Sequence, residues 1–169
     1  MEVTDFIQHH MGIINKRLLD NIKVVNSEEL LWRPNSEANS IAFILWHIFR
    51  VEDNYIQKYI LKQDELWKRN NLYIKYNLPE RDTGFEYTSQ QVANLELPVL
   101  KDLLDYQSAV RAETLDYLKT VSVEDLKFVP RPKLRPDYSI LRIFQQIMIH
   151  ELEHLGQIDM LLGLKRGNE

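Results

Sequence analysis

Chain breakers are confined to a few narrow windows, and that restricts the fold more than any other feature. The six prolines stand at positions 34, 79, 98, 130, 132 and 136, and only five glycines occur in 169 residues. Between the breaks run long stretches whose apolar positions recur at three- and four-residue steps, the spacing of amphipathic helices. With 44% of its residues hydrophobic, such a chain buries one full core, so residues 1–169 are expected to form a single all-α domain.

Four long helices follow from the periodicity. The first is expected from Thr4 to Val25, with Phe6, His10, Ile13, Ile14, Leu18, Ile22 and Val25 facing inward. The second opens at Ser40, a good amide cap, and runs to Lys62 with Ile41, Ile44, Ile48, Val51, Tyr55 and Tyr59 inward. The third starts with Pro98 and extends to Val121 through Leu100, Leu103, Leu104, Gln107, Val110, Thr114 and Tyr117. The fourth follows Ser139 through Ile140, Ile143, Ile147, His150, His154, Ile158 and Leu161, and stops near Gly163 or Gly167. Four such helices predict a four-helix bundle.

Residues 63–97 are a connection far longer than bundle helices need to turn. A crossover of that length lets the third helix run parallel to the second. Trp67, Tyr73, Tyr76, Phe85 and Tyr87 lie in it, so it is expected to pack on the bundle and to roof one end. An acidic pair, a leucine and an aromatic residue recur at 28–32 and 124–128, each before a proline loop and a serine cap. That pattern fits either a duplicated helical hairpin or two similar short turns.

The charge balance, 21 basic against 25 acidic residues, argues against a phosphate-tracking surface, and nucleic acid is not an expected partner. No apolar run reaches the roughly 18 residues of a membrane span. The start, Met1-Glu2-Val3-Thr4-Asp5, does not read as a signal peptide, and a cytoplasmic location is expected. The absence of cysteine removes thiolate nucleophiles and cysteine metal sites together, leaving imidazole and carboxylate as ligands.

His150 and His154 are spaced i, i+4, which stacks their rings on one helix face, and that face is the apolar one. His47 lies on the inward row of the second helix. At 1.5 Å per residue His47 sits about 10 Å from its helix start, and the pair averages about 17 Å from the end of the fourth helix. An antiparallel packing of the two helices leaves the imidazoles roughly 7 Å apart in depth, within a boundary error of about a turn, against about 10 Å for a parallel one, a difference that leans toward antiparallel packing without deciding it. His10 is a reserve fourth ligand on the first helix, and His9 is expected to face solvent.

His150-Glu151-Leu152-Glu153-His154 also matches H-E-x-x-H, in which two histidines hold zinc and a glutamate activates water. Only fifteen residues follow His154, and glycine stands at 156 where the longer signature needs it at 157. A protease of that type is therefore not the expected reading.

Two segments carry a resemblance. Asn39-Ser40-Ile41-Ala42-Phe43-Ile44-Leu45-Trp46-His47-Ile48-Phe49-Arg50-Val51-Glu52-Asp53 and His150-Glu151-Leu152-Glu153-His154-Leu155-Gly156-Gln157-Ile158-Asp159 resemble the two signature helices of the DinB-like (DinB/YfiT) superfamily. The resemblance implies an up-down-down-up four-helix bundle, often a homodimer, with a divalent metal on His47, His150 and His154. It further implies chemistry on a small-molecule substrate, most often thiol-cofactor transfer of the bacillithiol type.

Three neutral imidazoles leave a cation its full charge and an open position, the pattern of a catalytic site. Nickel, zinc and iron all accept such ligands. With a low-molecular-weight thiol as cosubstrate the expected activity is S-transfer; with water it is hydrolysis, for which Glu151 is the candidate base and Glu153 the lesser one. A non-catalytic metal or small-ligand binding bundle and a bundle whose inward histidines merely pack, without metal, are the remaining readings. Asp53, Glu52 and Glu151 are candidates for orienting the rings. Arg131, Lys133 and Arg135, before the fourth helix, read as a solvated loop or as contacts to an acidic cosubstrate.

Overall fold

Ser40 accepts a hydrogen bond from the Phe43 amide and Ser139 from the Arg142 amide, so both histidine-bearing helices start at a side-chain cap. The computed structural model describes residues 2–131 and 133–167, and among these it is helical without strands. The helices are α1 (Val3–Ile22), α2 (Ser27–Leu31), α3 (Ile41–Asp53), α4 (Leu66–Arg69), α5 (Leu72–Lys75), α6 (Ser89–Ala93), α7 (Leu100–Thr120) and α8 (Ile140–Arg166). None of them is long and apolar enough to cross a membrane.

α1 and α3 each pack against both α7 and α8. Side chains tie the pairs at matched heights: Gln107 to Asn15 at 2.8 Å and Arg111 to the Met11 carbonyl at 3.3 Å. Tyr106 reaches Asp53 at 2.6 Å, Thr114 reaches Glu52 at 2.8 Å, and Asn21 meets Asp159. α3 is apolar nearly all round and is buried nearly all round, from Ile41 to Phe49. At about 1.5–3 kcal/mol for each large side chain removed from water, this helix is the centre of the core.

The core divides in two. One apolar cluster gathers Trp46, Phe49, Trp67, Leu103 and Ile158, and the other gathers Ile7, Met11, Ile56, Leu118 and Phe144. The buried polar side chains of Glu52, Arg111, Thr114 and Glu151 hydrogen-bond to one another at intermediate sequence positions on three helices.

α1 presents a neighbouring face to the one expected. Ile7, Met11, Ile14, Leu18 and Ile22 are buried, while Phe6 and Ile13 remain 43% and 45% exposed. Both rows have helical spacing, so the wheel alone cannot choose between them. The second helix differs beyond Asp53, where it continues as a π-helix over Asn54–Leu61. The wider turn moves Ile56 and Gln57 inward and leaves Val51, Tyr55 and Tyr59 half-buried on a cleft.

The connection between the second and third long helices is stitched down through α3. Both carboxylate oxygens of Asp53 accept amides, Leu66 at 3.0 Å and Trp67 at 2.9 Å, and so cap α4. Arg50, fully buried, donates to Asp53, Glu65, the Tyr106 hydroxyl and the Asp82 carbonyl, all at 3.2–3.3 Å. Trp67 packs over Arg50 and donates its indole N–H to the Pro79 carbonyl at 3.0 Å. Gly84 completes the contact: at φ +81° it lies so close to α3 that an added Cβ would meet Trp46 at 2.8 Å and Phe43 at 3.0 Å. Phe85, by contrast, is 72% exposed.

Candidate metal centre

The stitched connection brings a carbonyl to a histidine. The His47 Nδ1–H donates to the Thr83 carbonyl at 2.6 Å, which fixes the tautomer and leaves the Nε2 lone pair pointing away. His154 is set in the same way by its own helix, its Nδ1–H donating to Gln157 Oε1 at 2.8 Å one turn on. Both Nε2 atoms face His150 Nε2, at 3.0 Å from His47 and 3.1 Å from His154. The ring centroids lie 4.4–5.0 Å apart, steeply inclined to one another.

Such a cluster fits a cation. Metal–nitrogen bonds of about 2.0–2.1 Å put two ligand nitrogens about 2.9 Å apart at a right angle and about 3.3 Å apart at the tetrahedral angle. The two separations from His150 Nε2 fall between these values, and the three ligand nitrogens all lie within 4.8 Å of one another. With the His47 and His154 protons both on Nδ1, His150 has one Nε2 position to satisfy two facing lone pairs, and a shared cation resolves the conflict. Burial pushes all three imidazoles below the usual histidine range, His150 to about 3 with help from its two neighbours. At neutral pH they are in the unprotonated form that binds metal. His47, His150 and His154 are thus a group that could hold a metal ion.

Over residues 15–158 the sequence matches the family model of the DinB superfamily. The chain belongs to the DinB superfamily. A crystal structure of a conserved protein from Enterococcus faecalis has the same fold as this DinB-superfamily chain, with a TM-score of 0.85 and 22% identity over 97% of each chain. No curated protein matches the sequence.

Beneath the histidines of this DinB-superfamily chain lies a buried ionic cluster. Arg111 donates to Glu52 at 2.9 Å and also to Glu151, and Thr114 donates to Glu52. Burial pushes the Glu151 carboxyl up to about 8, the Arg111 guanidinium opposing and the Glu52 carboxylate adding to the rise. Glu151 Oε2, Arg111 Nε and Trp46 Nε1 are buried without a hydrogen-bond partner. In front of the histidines a cleft of about 280 Å³ is bordered by His47, His150, Val51, Asn54, Tyr55, Tyr59, Thr83, Phe85, Arg135 and Gln146.

The structure therefore brings together the three histidines read from the sequence and holds the other candidates elsewhere. Glu151 faces Arg111 and does not border the cleft, and Glu153 is exposed. Glu52 and Glu151 belong to the cluster behind the rings, and Asp53 caps α4. The His10 Nδ1–H donates to the Phe6 carbonyl, 2.9 Å away, and His10 is not part of the cluster; His9 is exposed. Thr83, Gln157 and Arg111 are the participants that sequence reading misses. Gln157 was within reach at i+3 from His154, and two inward carboxylates, Glu52 and Glu151, called for a cation such as Arg111. Thr83 acts through its main chain, which leaves no residue-type signal.

Proposed function

We propose that this protein is a divalent-metal-dependent S-transferase. His47, His150 and His154 hold nickel, zinc or iron, and a low-molecular-weight thiol is the cosubstrate. The observation that carries the reading is the approach of the His47 and His154 Nε2 atoms to His150 Nε2, at 3.0 and 3.1 Å, beside an open cleft. A divalent ion bound there supplies Lewis acidity, lowering the pKa of a thiol or a water brought against it. The protein's own residues orient the imidazoles through Thr83 and Gln157, keep them neutral by burial, and shape the approach with Tyr55, Tyr59 and Phe85. A chain without cysteine must take its thiol from a diffusible partner. Thiol transfer is favoured over hydrolysis because a thiolate needs no protein base, and neither glutamate of the fourth helix borders the cleft.

The same reading treats residues 1–169 as one up-down-down-up four-helix bundle with a long crossover. Support comes from the tie of Asn15 to Gln107 and Met11 to Arg111, opposite in order, and from Asp53 to Tyr106 and Gln57 to Glu113, in the same order. It also takes the protein as a cytoplasmic homodimer acting on a small molecule and not on nucleic acid. The exposed apolar row Leu141, Ile149, Leu152 and Met160 on α8 favours self-association.

Metal analysis of protein purified without chelators tests the proposal, followed by thiol-cofactor screening with monobromobimane as electrophile. A divalent metal near one equivalent, sharply reduced in His47→Ala, is expected. Full metal content in that variant would remove the basis of the reading, and metal-dependent hydrolysis without thiol turnover would replace transferase by hydrolase.

A further inference from the structure

The cleft does not end at the histidines. A second hollow of about 140 Å³ adjoins it, sharing Tyr55, Tyr59 and Arg135 and extending to Arg131. Among the described residues no aspartate or glutamate borders either hollow, although the whole chain carries a net charge of −4. The Arg131 guanidinium lies over the Tyr59 ring at 4.0 Å and that of Arg135 over Tyr138 at 4.9 Å. Stacking occupies the flat face of a guanidinium and leaves its edge donors available. Neither guanidinium forms a hydrogen bond or ion pair among the described residues.

The arginines are also held in place. The Arg135 amide donates to the Arg131 carbonyl at 2.9 Å, which makes them the ends of one turn. Lys62 Nζ anchors the start of that turn through the Pro130 carbonyl at 3.1 Å. Two stacked, unpaired guanidinium groups in an acid-free hollow are the arrangement that binds a planar oxyanion in bidentate fashion.

We infer that this second hollow is a carboxylate subsite: the substrate is a small molecule that sets its reacting end at the imidazoles and a carboxylate against Arg131 and Arg135. The position of the reacting end rests on the three-histidine reading above, whereas the carboxylate subsite stands without it. A carboxylate suits the site better than a phosphate because no lysine borders the smaller hollow to meet a third oxygen. The two hollows together are at the low end of the size range of small-molecule pockets.

The test is an NMR titration of the full 15N-labelled chain at low ionic strength, following the arginine side-chain Nε–H signals assigned through R131Q and R135Q. Succinate should shift both signals saturably, in metal-loaded and in chelated protein alike. Neutral succinamide should shift neither, and inorganic phosphate should bind more weakly. In the R131Q/R135Q double variant succinate affinity should fall at least tenfold by calorimetry, with metal uptake unchanged. Equal affinity in the double variant, tighter binding of phosphate, or a response that disappears with the metal would overturn the subsite. A wild-type protein that takes up no metal but keeps the succinate response would sink the transferase reading alone.

Discussion

His47 and His154 each have the outer ring nitrogen tied down, one by a main-chain carbonyl and the other by an amide side chain. The two anchors differ in what mutation can do to them. Gln157→Ala should weaken metal affinity by about 10- to 100-fold, the usual effect of losing an orienting partner, with the fold intact because the residue is exposed. His154→Ala should strip the metal outright; inductively coupled plasma mass spectrometry after gel filtration distinguishes the two. The metal-free protein should also lose stability in acid. The folded-state pKa of each imidazole lies below the unfolded value of 6.5, so below about pH 6.5 the unfolded chain binds more protons and gains. Urea midpoints should fall as pH drops from 6.5 toward 3, where His150 titrates in the folded state, and His150→Gln should flatten that slope. These candidate ligands were legible from the sequence because i, i+4 spacing and an inward row are properties of side chains. The Thr83 anchor was not, since any residue at that position supplies the same carbonyl.

Among the elements, the connection over residues 62–99 decides whether the site exists. It follows α3 through two kinds of contact: the buried Arg50 and Asp53 pair, and the close approach of Gly84 to Trp46 and Phe43. Asp53→Ala removes the cap of α4 and one of the two carboxylates facing Arg50, and should cost about 3 kcal/mol or more by urea unfolding. Gly84→Ala should act more locally. A methyl group there collides with two rings and strains a positive φ, so the 83 carbonyl shifts from His47 and metal affinity drops further than global stability does. Parallel measurement of unfolding and metal uptake separates these effects. The helices themselves were readable from proline placement and serine caps. The face of α1 was not, because Phe6 and Met11 both fit a helical row and the choice is made by contacts to α7 and α8, among them Asn15 to Gln107, the Met11 carbonyl to Arg111 and Asn21 to Asp159. The π-helical turn after Asp53 was equally hidden, since Tyr55 and Tyr59 keep the spacing of an ordinary helix.

At the level of the whole molecule, a cation held by the three histidines would couple the site to the fold, because they come from α3 and α8, two elements remote in sequence. Metal at 100 times its dissociation constant should add about 2.7 kcal/mol, and EDTA should lower the melting temperature by roughly 5–10 °C in differential scanning calorimetry. No change on chelation would mean that the imidazoles hold nothing in the native protein. The layer of Glu52, Arg111, Thr114 and Glu151 has a separate role in this picture. Sliding α3 or α7 by a single turn, about 5.4 Å, would part the buried Arg111 guanidinium from Glu52, and sliding α8 would part it from Glu151. Greasy surfaces slip past one another with little discrimination, whereas a guanidinium caught between two carboxyl groups admits one vertical alignment. The height at which the imidazole rings encounter each other is accordingly dictated from behind, by a lock that never contacts what enters in front.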